Sequence, residues 1–245
     1  MWPRGRTCDG RHYRAAPPRR AAAAAAHARL AADSGGKSVH RRGFVYAVRM
    51  PRRTDTAERI LAAARRLFEH EGPAGVTMRR VAAAAGLSPM AIYRHFDNRE
   101  ALLARIGEDS FEAIAGHWSA RARGLDPLTR LIAVHRLYLD YALAHPHLFD
   151  LAFSTPRRDA RRYPEDFHAR RSPTLTVVAD AVADAMSAGA LREDDIWDVT
   201  MTLWAHTHGL VALYRSGRFN YDEAAFRDFY EQSLLRLFDG LRPAS

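Results

Sequence analysis

The sequence predicts an all-α protein, in which an N-terminal three-helix, helix-turn-helix domain precedes a larger helical bundle, with about nine helices in all. Three observations support this fold class. Two short helical segments meet at a glycine turn, helix-capping residues recur along the rest of the chain, and no segment shows a convincing strand pattern. With 245 residues, the chain can form one large or two modest domains with a buried core.

The charge of the chain is unevenly distributed. The formal net charge is +9, and residues 1–50 account for all of it, with 11 basic and 2 acidic residues. Residues 51–106 contain 10 basic and 6 acidic residues, whereas residues 107–245 contain 16 and 20. This distribution suits a basic head that contacts nucleic acid and a mildly acidic body that does not.

Cysteine usage and hydropathy narrow the class of protein further. Cys8 is the only cysteine, which excludes an intramolecular disulfide and a cysteine metal cluster. The sequence contains no run of about 18 apolar residues, the length that a membrane-spanning helix needs. We therefore expect a cytoplasmic protein without a membrane partner.

Residues 1–50 mix Arg, Ala, Pro and Gly without a sustained apolar face. This composition is typical of a disordered basic tail. These residues lack the apolar segment before a cleavage site that a bacterial secretion signal needs. A tail of this charge would strengthen nonspecific contact with DNA.

The first helix is predicted from about Thr54 to His70. Its apolar residues form a single stripe at helical spacing, which consists of Ile60, Leu61, Ala64, Leu67 and Phe68. Gly72 and Pro73 are expected to end this helix.

The next two helices are predicted to form a helix-turn-helix. The first begins just after Thr77 and ends at Gly86, a residue type that tolerates the left-handed conformation of a helix stop. Ser88 can cap the second, with Pro89 at its first position, where a missing N–H costs nothing. The second helix of such a pair enters the major groove of DNA. The apolar residues that would hold these helices against the first are Val81, Leu87, Ile92 and Phe96.

A long fourth helix is expected to join this head to the body. Asp97 and Glu100 approximate a capping box at its start, and the helix is predicted to reach about Trp118 and to stop near Gly124. These boundaries suggest a DNA-binding domain at 51–106 and a body at 107–245.

Five more helices are predicted in the body, and residues 155–164 are predicted to form an exposed loop. The helices are predicted to run from Asp126-Pro127 to Ala144, from His147 to Phe153, from Ser172-Pro173 to Gly189, from Asp194-Asp195 to Arg215, and from Asp222 to Gly240.

The order of residues in the head resembles the DNA-binding domain of the tetracycline-repressor (TetR) family of bacterial transcription regulators. The resemblance covers roughly residues 54–106 and rests on Leu67-Phe68, Gly75-Val76-Thr77, Tyr93-Arg94-His95-Phe96, Arg99 and the run Glu100 to Leu103. In the body, the segment Trp204 to Gly209 is similar to the Trp-x-x-x-His-Gly element of one C-terminal subfamily. By the same resemblance, Met50 is where a family member is expected to start, so translation is expected to begin there.

The resemblance implies a set of DNA contacts. Arg79 matches a position that reaches a base edge, and Arg94 carries a guanidinium suited to guanine. Residues at the start of the recognition helix match positions facing the duplex, namely Ser88, Pro89, Met90 and Ala91. Positions that contact the phosphate backbone are matched by Thr77, Tyr93, His95 and Arg99. Alternatively, Tyr93 and His95 pack beneath the recognition helix.

The body is expected to bind a small-molecule effector, because the family generally does so there and its helices carry apolar faces with a few polar groups. The candidate ligand-binding residues are His135, Tyr138, His145, Phe149, Trp197, Met201, Trp204 and His208. Alternatively, these side chains are core residues. We expect no metal and no cofactor, since the histidines lack a tight ligand spacing such as His-Glu-x-x-His.

The last helix carries more apolar surface than one side of a thin bundle requires, so a homodimer built from the last two helices is expected. The predicted function is regulation of transcription, most simply repression relieved by an inducer, with no catalytic residues. Such a protein would be nucleoid-associated when bound to a palindromic operator. The alternatives are a DNA-binding protein that recruits a protein partner without a ligand, and an enzyme with an accessory DNA-binding head.

Overall fold

The N-terminal part of the fold consists of three helices followed by a long one. The computed structural model describes residues 56–155 and 160–243, all within one unit. The elements, in order, are α1 (Thr56–Gly75), α2 (Met78–Ala85), α3 (Pro89–Tyr93), α4 (Arg99–Arg121), α5 (Pro127–Ala144), α6 (Pro146–Phe149), a π-helical turn (Asp150–Ser154), α7 (Glu165–His168), α8 (Pro173–Ser187), α9 (Ile196–Arg215) and α10 (Glu223–Gly240). Every element in these two ranges is helical, which confirms the predicted fold class.

Some predictions concern residues that lie outside the described ranges. These are the basic tail at 1–50, the start of translation at Met50, the first two residues of the predicted first helix, and residues 156–159 of the predicted loop. The division into domains at 106/107 stays a prediction.

Helix α1 contains a sharp break at Gly72. The backbone there has φ 67° and ψ −165°, and the following Pro73 begins a further helical turn that runs to Gly75. The sequence therefore predicted the position of the break, but not the continuation beyond it. A Cβ atom at Gly72 would lie 3.0 Å from the ring of His147 on α6, so the head and the body are in close contact here.

The caps of α2 and α3 confirm the predicted helix-turn-helix. The Thr77 hydroxyl accepts a hydrogen bond from the Arg80 amide at 3.3 Å, and Gly86 ends α2 in the left-handed conformation with φ 65°. The Ser88 hydroxyl accepts from the Ala91 amide at 3.3 Å. The Arg59 guanidinium of α1 donates to the carbonyl oxygen of Ala85 at 2.8 Å, which satisfies one of the free carbonyls at the end of α2.

Helix α4 is capped by Asn98 rather than by the predicted Asp97. The Asn98 side chain accepts a hydrogen bond from the Ala101 amide at 2.8 Å, the geometry of an N-cap. Asp97 stands one residue too early to occupy this position. The helix then runs without interruption to Arg121, and Gly124 follows with φ 76°.

The body is arranged around α8, which packs against α4, α5 and α9. Its apolar residues are almost completely buried; they include Leu175, Val178, Ala181, Val182 and Ala185. Helix α10 packs against α9, and α6 packs against both α1 and α5. The predicted starts of α5, α8, α9 and α10 are all confirmed, since their capping residues are Asp126, Ser172, Asp195 and Asp222.

Two short elements differ from the prediction. The helix expected at 147–153 is a short α-helix that passes into a π-helical turn, and the Arg215 guanidinium holds it by hydrogen bonds of 2.6 and 2.8 Å to the Asp150 carboxylate. Helix α7 was not predicted, because four residues are too few for a periodic apolar pattern. Its buried Phe167 attaches it to the core.

Among the described helices, none combines the length and the apolar character that crossing a membrane requires.

Candidate DNA-contacting surface and ligand cavity

The surface of α3 and the turn that follows it is unusually exposed for its composition. The Met90 side chain is 71% exposed and Tyr93 is 51% exposed, although both are large apolar or aromatic residues. Between them, Ile92 is completely buried and holds α3 against the head. Of the other candidates, Pro89, Arg94 and His95 are exposed and Ala91 is partly exposed. The buried Ile92 thus fixes α3 to the head, while the opposite face of the helix is exposed to solvent.

Arg79 and Arg80 differ although they are neighbours on the start of α2. Arg80 forms two hydrogen bonds of 2.6 Å to the Glu71 carboxylate, and this contact lowers the pKa of Glu71. Arg79 is exposed and makes no hydrogen bond or ion pair with any residue of the described ranges. Arg79 is therefore the one of the two whose guanidinium is available to a ligand.

Arg99 has structural partners. Its Nε donates to the carbonyl oxygen of Val76 at 2.8 Å, and Nη2 donates to that of Pro73 at 2.5 Å. These bonds connect the first turn of α4 to the last turn of α1 and to the segment between α1 and α2. The predicted role of Arg99 in phosphate binding stays a prediction, to which the structure adds a role in positioning the head.

Two adjacent chambers lie in the body. The inner one has a volume of about 10 Å³ and the outer one about 130 Å³. They share four lining residues, namely Phe153, Thr174, Leu175 and Trp204. The walls are mainly aromatic and aliphatic, with a small number of polar groups, as is usual for small-molecule sites.

Five of the eight predicted ligand-binding residues lie at these chambers or directly behind their wall. His135, Tyr138 and Trp204 line the inner chamber. The Tyr138 phenol is 2.8 Å from Nδ1 of His208, and the Phe149 ring stacks on that of His208 with centroids 5.8 Å apart. Phe149 and His208 therefore support the wall rather than line it.

The other three predicted residues do not line either chamber. His145 follows the last turn of α5, about 15 Å along the helix axis from His135, and its ring lies 5.2 Å from that of Tyr141. Trp197 stacks on His168, with centroids 6.0 Å apart, and Met201 packs half-buried against the core. These residues were predicted because they share a helix face with residues that line the chambers. A helix face extends beyond the cavity that it borders, so residues further along it do not reach the cavity.

Sequence reasoning missed several residues that line the chambers. These come from α4, the residues before α8, and α8 and α9 themselves, and they include Phe111, Trp118, Arg161, Thr174, Val178 and Thr207. Thr174 is a polar residue in the first turn of α8, next to the apolar residues Leu175, Val177 and Val178. The others carry no local signal, because only the packing of distant helices brings them together.

Three polar side chains at the chambers have a buried polar atom without a partner. Trp118 is 2% exposed and Thr174 is 1% exposed. None of the Trp118 Nε1, the Thr174 Oγ1 and the Trp204 Nε1 has a hydrogen-bond partner in the described part of the chain. Leaving a buried donor unpaired costs roughly 1–3 kcal/mol. Such groups commonly mark a place where a ligand or a water molecule binds.

Among the residues that the structure describes, none offers a free positive charge to the chambers. Complete burial lowers the pKa of His135 to about 4, so its imidazole is neutral at physiological pH, and Nδ1 lies 2.8 Å from the carbonyl oxygen of Leu131. At the outer chamber, Arg161 binds the Glu108 carboxylate at 2.5 Å and the carbonyl oxygen of Arg171 at 2.5 Å, and it lies over the Phe111 ring at 4.9 Å.

His135 leads to a prediction about stability and pH. The unfolded chain binds a proton at this residue below about pH 6.5, whereas the folded protein binds one only below about pH 4. The free energy of unfolding should therefore fall by about 2–3 kcal/mol as pH decreases through this interval. The His135→Asn variant should show a smaller fall in urea titrations, while other histidines with lowered pKa, such as His208, keep part of it. An equal fall in both proteins would contradict this assignment.

Within the described ranges, no group of three or more His, Cys, Asp or Glu side chains is arranged so as to hold a metal ion.

Comparison with protein families gives two matches. Residues 60–106 match the family described as bacterial regulatory proteins, tetR family, and residues 131–237 match the tetracyclin repressor-like C-terminal domain. An uncharacterized HTH-type transcriptional regulator of Mycobacterium tuberculosis is 54% identical over 52 residues. That alignment covers 21% of this chain and only about a quarter, 26%, of the relative's own length.

Solved structures share the fold across most of the chain. A protein of unknown function from Rhodococcus sp. RHA1 has a TM-score of 0.64 at 22% identity, covering 78% of this chain and 97% of its own. A TetR-family regulator from Pectobacterium atrosepticum has a TM-score of 0.61 at 19% identity, covering 77% and 95%. The Bacillus subtilis regulator FadR, solved with stearoyl-CoA, has a TM-score of 0.59 at 14% identity, covering 75% and 98%.

Proposed function

Since this chain belongs to the TetR family of bacterial regulatory proteins, we propose that it is a homodimeric transcriptional repressor that a small-molecule inducer releases from a palindromic operator. The exposed surface of α3 carries this proposal: Met90 and Tyr93 are turned to solvent while the intervening Ile92 is fully buried. A recognition helix needs this combination, because it must be rigid and must also present side chains to the major groove.

The homodimer is proposed to form through α9 and α10. Helix α9 has an outer row of small or exposed residues, with Ala205, Gly209 and Ala212 at helical spacing and Leu213 48% exposed. Small residues let a second helix approach closely. Two recognition helices related by a two-fold axis would contact half-sites about 34–36 Å apart, or a multiple of this distance.

The first experiment is to map the DNA that the purified protein protects upstream of its own gene. We expect a palindromic footprint, a dimer in sedimentation, and loss of protection with a suitable inducer. A monomer that protects no fragment at low salt would refute the proposal. A dimer whose footprint no compound removes would instead favour the alternative of a regulator that recruits a protein partner. No enzymatic role is proposed, and the outer chamber of about 130 Å³ favours a ligand-binding body over a filled one.

Arg79 and Arg99 should affect DNA binding in different ways. Arg79 has no structural partner in the described chain, so Arg79→Ala should relax the preference at one base position per half-site, at a cost of about 1–3 kcal/mol for the preferred base, without changing the melting temperature. Arg99→Ala should weaken binding to all DNA sequences alike, and it should reduce by about one the slope of the logarithm of the binding constant against the logarithm of the salt concentration. It should also lower the melting temperature, since the carbonyls of Pro73 and Val76 lose their donor.

These two variants can be compared by fluorescence anisotropy on a set of single-base operator variants at several salt concentrations. Arg80→Ala is the matched control, because its guanidinium is already engaged by Glu71. If Arg79→Ala and Arg99→Ala reduce specificity equally, the assignment of base and backbone contacts is wrong.

A further inference from the structure

The two chambers differ in what each can hold. A space of about 10 Å³ is at the lower limit for a single water molecule, so the inner chamber can hold one atom of a ligand but no ring. The outer chamber, at about 130 Å³, is close to the volume of roughly 150 Å³ that binds benzene in an engineered apolar cavity. The pair therefore fits a compact molecule with one ring and one projecting atom, and is too small for a fatty-acyl-CoA.

The polar groups specify the projecting atom. An indole N–H can only donate a hydrogen bond, and Trp118 is buried with its Nε1 unpaired at the inner chamber. The Thr174 hydroxyl, which lines both chambers, is unpaired as well. A hydrogen-bond acceptor placed here would remove the cost of these unpaired groups, whereas a donor would leave the indole unsatisfied.

Trp204, which lines both chambers, has a third unpaired group, its indole N–H, whereas the other polar groups of the described lining are engaged within the protein. In the outer chamber, the Thr155 hydroxyl donates to the Asp150 carbonyl oxygen at 2.8 Å, Ser172 caps α8, and Arg161 is neutralised by Glu108. His135 is neutral in the inner chamber. A charged ligand would thus lose its hydration without gaining a counter-ion from the described residues of the lining, which is costly in an apolar site.

Building on the proposed function, we propose that the inducer is an uncharged carbonyl compound about the size of one aromatic ring, bound with its ring in the outer chamber and its oxygen at Trp118 and Thr174. The rings of Phe111, Phe153 and Trp204 provide stacking surfaces for such a molecule. Affinity thus comes mainly from burial of the ring, and selectivity from the oxygen.

Three probes of similar shape test this assignment on the full chain without DNA, by ligand-observed NMR titration. Acetophenone has the ring and the oxygen, α-methylstyrene replaces the oxygen by a methylene group, and benzoate adds a negative charge. We expect acetophenone to bind about tenfold more tightly than either of the others, as one hydrogen bond to a buried donor would give. Binding of none of the three, or tightest binding of benzoate, would overturn the proposal.

Variants separate the donors from the rest of the wall. Trp118→Phe and Thr174→Val should each reduce the preference for acetophenone over α-methylstyrene by about threefold or more, and the double variant should nearly abolish it. Trp197→Phe, which removes an indole that lines neither chamber, should leave it unchanged. Thermal unfolding verifies that each variant is folded. If Trp118→Phe does not fold, Thr174→Val alone tests the assignment. An unchanged preference in both would refute the assignment.

The two proposals can fail separately. If acetophenone binds as expected but neither it nor its ring-substituted derivatives release the operator, the site stands and the inducer mechanism fails. If other compounds release the operator while no probe binds, the mechanism stands and the assigned ligand class is wrong.

Discussion

Replacing Met90 by Asp is expected to abolish operator binding while leaving the fold intact. The side chain is 71% exposed, so the carboxylate would remain hydrated and the free energy of unfolding should change by less than about 0.5 kcal/mol. On the proposed DNA-contacting surface, however, the new charge would face phosphates and base edges. We expect a loss of affinity of at least about 100-fold at low salt, measured by fluorescence anisotropy, because like charges at an interface cost several kcal/mol.

Leu125→Asp is the matched control for this variant. Leu125 is 41% exposed and lies in the loop after α4, at the far end of that helix from α3. It adds the same charge to the same protein without placing it on the proposed surface. If both variants bind the operator with equal affinity, α3 does not contact DNA.

Replacing Gly72 by Ala is expected to destabilise the protein by about 3–5 kcal/mol. The backbone at Gly72, with φ 67° and ψ −165°, lies in a region that only glycine occupies readily, which accounts for about 1–3 kcal/mol. The new Cβ would also lie 3.0 Å from the His147 ring, and relieving that overlap costs a similar amount. Urea unfolding would measure the loss, and operator binding should weaken because α1 supports the head.

Two further variants separate these contributions. His147→Ala in the Gly72→Ala background removes the overlap but not the backbone strain, so it should recover only part of the loss. Gly116→Ala is the opposite case, because Gly116 lies within α4 with no atom within 4 Å of the new Cβ, and it should stabilise the helix by about 0.5–1 kcal/mol. A Gly72→Ala variant as stable as the wild type would show that the break in α1 is not required.

Helix boundaries in this protein could largely be predicted from single residues. Thr77, Ser88, Asp126 and Ser172 cap their helices as expected, since a side-chain oxygen next to free amides is a local feature of the chain. The one misplaced cap, Asp97 for Asn98, reflects two adjacent residues that can both accept such hydrogen bonds. The choice between them depends on where Phe96 must be buried, which is a tertiary constraint.

The lining of the two chambers could be predicted only in part, for a different reason. The candidates His135, Tyr138 and Trp204, which line the inner chamber, were chosen because aromatic and polar residues share a helix face, and that reasoning applies to one helix at a time. It could not find Trp118 or the role of Arg161, because those depend on how four helices and a loop pack together. It also could not tell that His145 stands beyond the end of the cavity.

Because α4 is long, a small rotation of this helix at one end would produce a larger displacement at its other end. The helix has 23 residues, and is therefore about 34 Å long. Phe111 borders the outer chamber near the middle of the helix and Trp118 the inner one near its C-terminal end, while Arg99 at the N-terminal end is hydrogen-bonded to the segment that precedes α2. If α4 rotates by about 5° about Trp118 when a ring binds, its Arg99 end, about 28 Å away, moves by about 2.5 Å. That is a large part of the spacing of about 3.4 Å between successive phosphates of one DNA strand, so a small rotation in each subunit suffices to misalign both recognition helices with the duplex.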